Sequence, residues 1–201
     1  MEASASAPHA SHIEAEPLEW QPRASWVGAR LLCGALSFFF ASFLFAYFYL
    51  RLLDVHHAWK LGHVNPSIGL GIVIAVALVL SAVALRLALH RPAQVVALGA
   101  ASLLLALLAI ALQCVEWTTL GFGPASGGYA SVFVGWTSLY AVLALPCVYW
   151  IETQVAGFWR ERREGTAQTP ELHRAGLEAC SFFWGFYVAI GVLAFVVLYL
   201  V

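Results

Sequence analysis

Five long apolar stretches cross this chain: Leu31–Leu50, Ser67–Leu85, Ala93–Cys114, Tyr129–Ile151 and Ala179–Val201. None has an Asp, Glu, Lys, Arg or His in its interior. About 20 residues of helix, at a rise of about 1.5 Å each, match a hydrocarbon core of about 30 Å. Only segments whose backbone groups bond to one another survive there, which selects helices. Hydrophobic residues make up 62% of the chain and charged ones 10%, far from the soluble average. The fold class read from this is an all-α membrane protein, a bundle of five transmembrane helices. The spans fall at approximately 26–50, 67–89, 93–115, 129–152 and 176–201, within a membrane domain of residues 25–201. The ion-free interiors also argue against a pump, carrier or channel, which need ionisable or strongly polar groups at mid-membrane depth.

Residues 1–24 have a different character, with Glu2, Glu14, Glu16 and Glu19 among Pro8, Pro17 and Pro22. Such a composition buries too little apolar surface to fold alone, so a disordered polar tail is expected. No basic segment precedes a short apolar one, which argues against a cleavable signal peptide. His9, His12 and Glu16 offer a metal reading, but tail imidazoles without a fold seldom close a coordination sphere.

Basic residues set the orientation. One side of a five-span topology collects Arg23, Arg30, Arg86, Arg91, Arg160, Arg162, Arg163 and Arg174, against Arg51 and Lys60 on the other. The positive-inside rule then places the N-terminus in the cytoplasm and Val201 on the periplasmic side. Trp20, Trp26, Trp59, Trp117, Trp150 and Trp159 fall near the expected interfaces, where amphipathic rings settle.

The connections carry little chemistry. His90-Arg91-Pro92 reads as a tight turn, with proline opening the third helix where its missing N–H costs nothing. The stretch Gly121–Gly128 is glycine-rich, but no Lys follows it, so it is a turn-former rather than a phosphate cradle. Residues 153–173 read as an amphipathic extension of the fourth helix and a solvated link, with Thr169 and Pro170 opening the last helix. Five helices do not divide into two equal inverted halves, which further weakens a carrier reading. Cys33, Cys114, Cys147 and Cys180 lie on four different spans without ligand spacing and are read as small apolar residues. Asp54, His56, His57 and His63 could gather around zinc, although scattered interfacial histidines are the commoner case. The histidines all lie in loops or tail, so none is read as a haem ligand.

A few polar and aromatic residues recur in a recognisable order. The first helix ends Phe45-Ala46-Tyr47-Phe48-Tyr49-Leu50-Arg51. The third ends Gln113-Cys114-Val115-Glu116-Trp117, followed by Gly121, Gly123-Pro124 and Tyr129-Ala130-Ser131-Val132-Phe133. The last opens with His173, Gly176-Leu177-Glu178 and then Phe183-Trp184. Together these resemble subunit III of the haem-copper terminal oxidases, in the five-helix form of bacterial quinol oxidases, over essentially the whole chain beyond the tail.

The departures from that family pattern are informative. Its first such helix carries a Glu where this chain has Leu36. Its fourth typically reads T-G-x-H-x-x-H, where Thr137 is kept but the histidines become Tyr140 and Leu143. Its last typically reads W-H-F-V-D, where Trp184 survives and the others are Gly185, Phe186, Tyr187 and Val188. The polar positions Leu36, Tyr140, Leu143, Gly185 and Val188 are therefore read as lost together. Breaking one member of a buried charged network costs roughly 3–5 kcal/mol, whereas replacing the whole network can be neutral. Complete replacement by apolar residues is the expectation.

What the resemblance implies is a subunit without a redox centre or metal of its own. It would pack against subunits I and II of an oxidase in the bacterial plasma membrane, with haem and copper in subunit I. The complex would reduce oxygen to water in aerobic electron transport coupled to proton translocation, and this chain would hold phospholipid; nucleic acid is not among its implied partners. Tyr47, Arg51, Glu116, Trp117, Thr137, Glu178 and Trp184 are the candidate structural, subunit or lipid contacts. Arg51 and Glu116 are read as interfacial charges that either pair across the bundle or stand solvated. Glu178 is read as the acid nearest to burial, with Arg174 one turn before it. Thr137 is expected to bond back to its own helix or across to a neighbour. Two alternatives stay open: a subunit-III-like accessory protein of a nitric oxide reductase, and a standalone transporter or channel.

Overall fold

The computed structural model describes residues 20–54, 59–62, 64–165 and 170–201. The readings placed on His9, His12, Glu16, His56, His57, His63 and Thr169 lie outside these residues. Among the described residues every regular element is helical: α1 Gln21–Leu52, α2 Ile68–His90, α3 Val95–Thr119, α4 Gly128–Glu164 and α5 Pro170–Phe195. A short 3-10 turn, Pro92–Gln94, leads into α3, and a π-helical turn, Val196–Leu200, follows α5. All five helices are long and apolar enough to cross a membrane, as a multi-pass membrane protein requires.

One boundary differs from the sequence reading: helix α1 begins at Gln21, inside the stretch expected to be tail. Helix α4 has 37 residues and runs on to Glu164, past the end of its apolar span, as the amphipathic extension read from residue 153 onward leads one to expect. At 1.5 Å per residue that is about 55 Å, longer than the hydrocarbon layer, so its polar last turns stand beyond it. It stops at Gly165, whose φ of 66° is the left-handed conformation that ends a helix cheaply for glycine alone. At its other end Gly127, with φ 115°, turns the chain sharply into α4.

Helix α2 lies along α3, α3 along α4, and α5 against α1, α2 and α4. The centre is therefore built by α4 and α5, whose Trp136, Phe133, Trp184 and Tyr187 are buried. Helix α1 is peripheral and turns Leu31, Phe38 and Phe45 outward, as a lipid-facing helix should. Glycines admit bulky side chains of neighbouring helices. A Cβ at Gly71 would stand 2.7 Å from the Tyr199 ring, and one at Gly99 2.5 Å from Val155. Gly69, in the same small-residue run as Gly71, has nothing within 4 Å. The small residues thus serve side-chain insertion here rather than close backbone approach.

Candidate functional site

The polar groups of the bundle collect in three places. The first is the end that holds the α1 and α3 C-termini and the start of α4. Gln113 and Glu116 are three residues apart on α3, so both point from one face. Gln113 Nε2 donates to Glu116 Oε2 at 2.8 Å, and Tyr199 Oη donates to the same oxygen at 2.6 Å. Glu116 is 0% exposed, and its Oε1 has no hydrogen-bond partner among the described residues. Of the two readings, a cross-bundle pair or two solvated charges, neither holds for Glu116, which is buried and unpaired with Arg51. Arg51 Nη1 donates to the main-chain oxygen of Val201 at 3.1 Å. Glu116 faces into the bundle, where a tyrosine hydroxyl and an amide are nearer than any guanidinium. Among the described residues Glu116 is the fully buried acid, while Glu178 is half-buried.

Beside it, Trp117 Nε1 donates to Thr137 Oγ1 at 3.1 Å, and Thr137 Oγ1 donates back to the Phe133 carbonyl at 2.8 Å. Thr137 therefore bonds both to its own helix and across to α3. Tyr129 donates to the Leu198 carbonyl at 2.5 Å and meets Tyr47 and Trp59 edge-on. Tyr47 is buried in this aromatic group, and Lys60 Nζ stands 4.6 Å from the centre of the Tyr129 ring. Asp54 accepts a hydrogen bond from the Trp59 backbone N–H at 2.9 Å.

The second place is mid-bundle. Tyr140 of α4 donates to the Tyr187 carbonyl at 3.0 Å, while Tyr187 of α5 donates back to the Tyr140 carbonyl. Their rings stack at 4.5 Å. Trp184 Nε1 donates to Ser81 Oγ at 3.0 Å, and Ser81 reaches the Ser102 carbonyl at 2.8 Å, tying α5 to α2 and α2 to α3. This corrects the expectation of wholly apolar replacement. Val188 is buried, and Leu36 and Leu143 pack half-buried against the core. Tyr140, however, belongs to a hydroxyl network that satisfies itself without any charge.

The third place is the end where α2 stops at His90. His173 Nδ1 and Glu161 Oε1 are in hydrogen-bond contact between α5 and α4, and Arg174 Nε lies 3.3 Å from Glu178 Oε1 one turn along. Arg162 donates to the Ala93 carbonyl at 2.5 Å, pinning the α4 extension to the α2–α3 turn.

The four cysteines are free. No group of three His, Cys, Asp or Glu side chains able to hold a metal occurs among the described residues. The sequence reading missed Tyr199, Tyr187, Ser81 and Ser102. The signal for Tyr199 was Gly71, a glycine in the first turn of the apolar helix α2, where a Cβ would meet the Tyr199 ring. No family model matches the chain, and no curated protein matches it.

Proposed function

We propose that the chain is a non-catalytic, subunit-III-like component of a respiratory haem-copper terminal oxidase in a bacterial plasma membrane. Its N-terminus lies in the cytoplasm and Val201 on the periplasmic side. It stabilises subunit I, contacts subunit II and binds phospholipid, while oxygen reduction to water, coupled to proton translocation, takes place at haem and copper in subunit I. One observation carries the reading. The residues that make the resemblance, Tyr47, Glu116, Trp117, Tyr129 and Thr137, are far apart in sequence yet assemble at one end of the bundle, with Tyr47 against Tyr129 and Trp117 on Thr137. Shared packing of that kind is what an ordered set of motifs from one family would encode. The absence of histidine from the five apolar stretches supports assigning the redox centres to a partner.

Purification of the tagged chain from its native membrane in mild detergent tests this. The expected result is co-elution with a complex showing haem and copper spectra and oxygen uptake. Nitric oxide reduction by the complex would transfer the chain to the nitric oxide reductase reading. A haem-free homo-oligomer would overturn both.

A further inference from the structure

At the His90 end, the α2–α3 turn stands away from the base of α4 and α5 and leaves a cavity of about 670 Å³. The pair α4–α5 is tight there. A Cβ at Gly176 would stand 2.7 Å from Gln154 Oε1, so the gap opens between that pair and the turn. The cavity has an apolar floor of buried Val95 and Leu177, with half-buried Phe158 beside them. Its rim is exposed and cationic, made by Arg162 and Arg174. Glu161 also lines it, but its carboxylate is engaged by His173. Arg174 shares its charge with Glu178, whereas Arg162 meets no carboxylate among the described residues and spends one N–H on the Ala93 carbonyl. A guanidinium has five N–H donors, so both arginines keep donors free for the cavity.

The combination decides the ligand class. A free anion would leave the floor of Val95, Phe158 and Leu177 against water, at a cost proportional to its apolar area. An uncharged amphiphile would leave the Arg162 guanidinium without a counter-charge. The cavity sits where the apolar α2 helix ends, the depth at which headgroups begin, and its size falls in the range of small-molecule sites. We propose that it binds an anionic phospholipid, the phosphodiester held by Arg162 and Arg174 and the upper acyl segment laid on Val95, Phe158 and Leu177. This gives the lipid-binding part of the proposed function a location. It rests on that part and is independent of the oxidase part.

The test uses the purified full-length chain, delipidated in detergent and then given phosphatidylglycerol, phosphatidylcholine or inorganic phosphate. Bound lipid is read by native mass spectrometry and stability by thermal unfolding. Phosphatidylglycerol is expected to stay bound and to raise the unfolding midpoint, with phosphatidylcholine retained several-fold less and phosphate without effect. R162Q with R174Q should lower phosphatidylglycerol retention roughly tenfold. R160Q with R163Q makes the same charge change on the α4 extension outside the cavity and should leave retention unchanged. Equal stabilisation by phosphate, equal retention of phosphatidylcholine, or an equal loss in the R160Q/R163Q chain would each overturn the proposal. If R162Q/R174Q fails to fold, the comparison of the three additives on the unaltered chain decides. Absence of haem from the preparation bears only on the oxidase reading.

Discussion

Tyr199 donates its hydroxyl to Glu116 Oε2 at 2.6 Å, and that bond takes the place of the cross-bundle ion pair that Glu116 and Arg51 suggest in the sequence. A double-mutant cycle separates the two partners. Tyr199→Phe keeps the ring and removes one of two donors to the acid, which should cost about 1–2 kcal/mol in unfolding free energy. Combined with Glu116→Gln it should be non-additive, because the two residues share one contact. Arg51→Gln combined with Glu116→Gln should be additive within about 0.5 kcal/mol. Thermal or denaturant unfolding of the detergent-solubilised chain measures both, and coupling of Arg51 rather than Tyr199 to Glu116 would contradict the geometry.

Gly191 exists for Tyr140. A Cβ there would run into the Tyr140 hydroxyl, with Cζ at 2.8 Å and Leu78 at 3.2 Å, whereas one at Gly185 meets nothing within 4 Å. Gly191→Ala should therefore lower stability by about 1–3 kcal/mol through overpacking. Gly185→Ala should be neutral or stabilising, by up to about 1 kcal/mol of helix propensity. Tyr140→Phe in the Gly191→Ala chain removes the nearest atom and should recover part of the loss. Unfolding midpoints of the four chains give the order, and a Gly185→Ala loss equal to that of Gly191→Ala would refute the packing argument.

The same pair of glycines shows how much of the molecule was legible in the sequence. Helix number and span positions came from uninterrupted apolar length, which bilayer thickness makes decisive, and α2 from Ile68 to His90 fell almost where it was placed. The start of α1 did not: Gln21 lies beyond the apolar run, where hydropathy says nothing about whether a helix continues. The extension of α4 to Glu164 was legible instead from its amphipathic pattern. Within the bundle, Glu116 was identified but turned the wrong way, because burial of an acid depends on a partner 83 residues away. Ser81 and Ser102 look like ordinary residues of apolar helices, and Trp184 was singled out without its partners. Only the rotation of α2, α3 and α5 about their axes brings their donors and acceptors together, and apolar helices with little amphipathicity encode that rotation weakly.

Leu36 tests whether the bundle interior has room for a charge. It lies near the middle of α1, half-buried against the core, in a span that carries no Asp, Glu, Lys, Arg or His from Leu31 to Leu50. The hydroxyl and indole groups at mid-bundle are paired without charge: Tyr140 with the Tyr187 carbonyl, and Trp184 with Ser81, which reaches Ser102. None of them is a cation, and no histidine lies within the apolar stretches of α4 or α5. Leu36→Glu therefore introduces an acid with no counter-charge at mid-membrane depth, at a cost of about 2–3 kcal/mol. Leu36→Gln, polar but uncharged, should cost less, and Leu36→Met almost nothing. Thermal unfolding of the purified chain, alone or in its complex, measures the series. A gain or no change with Leu36→Glu would mean that a matching basic group lies within reach of α1.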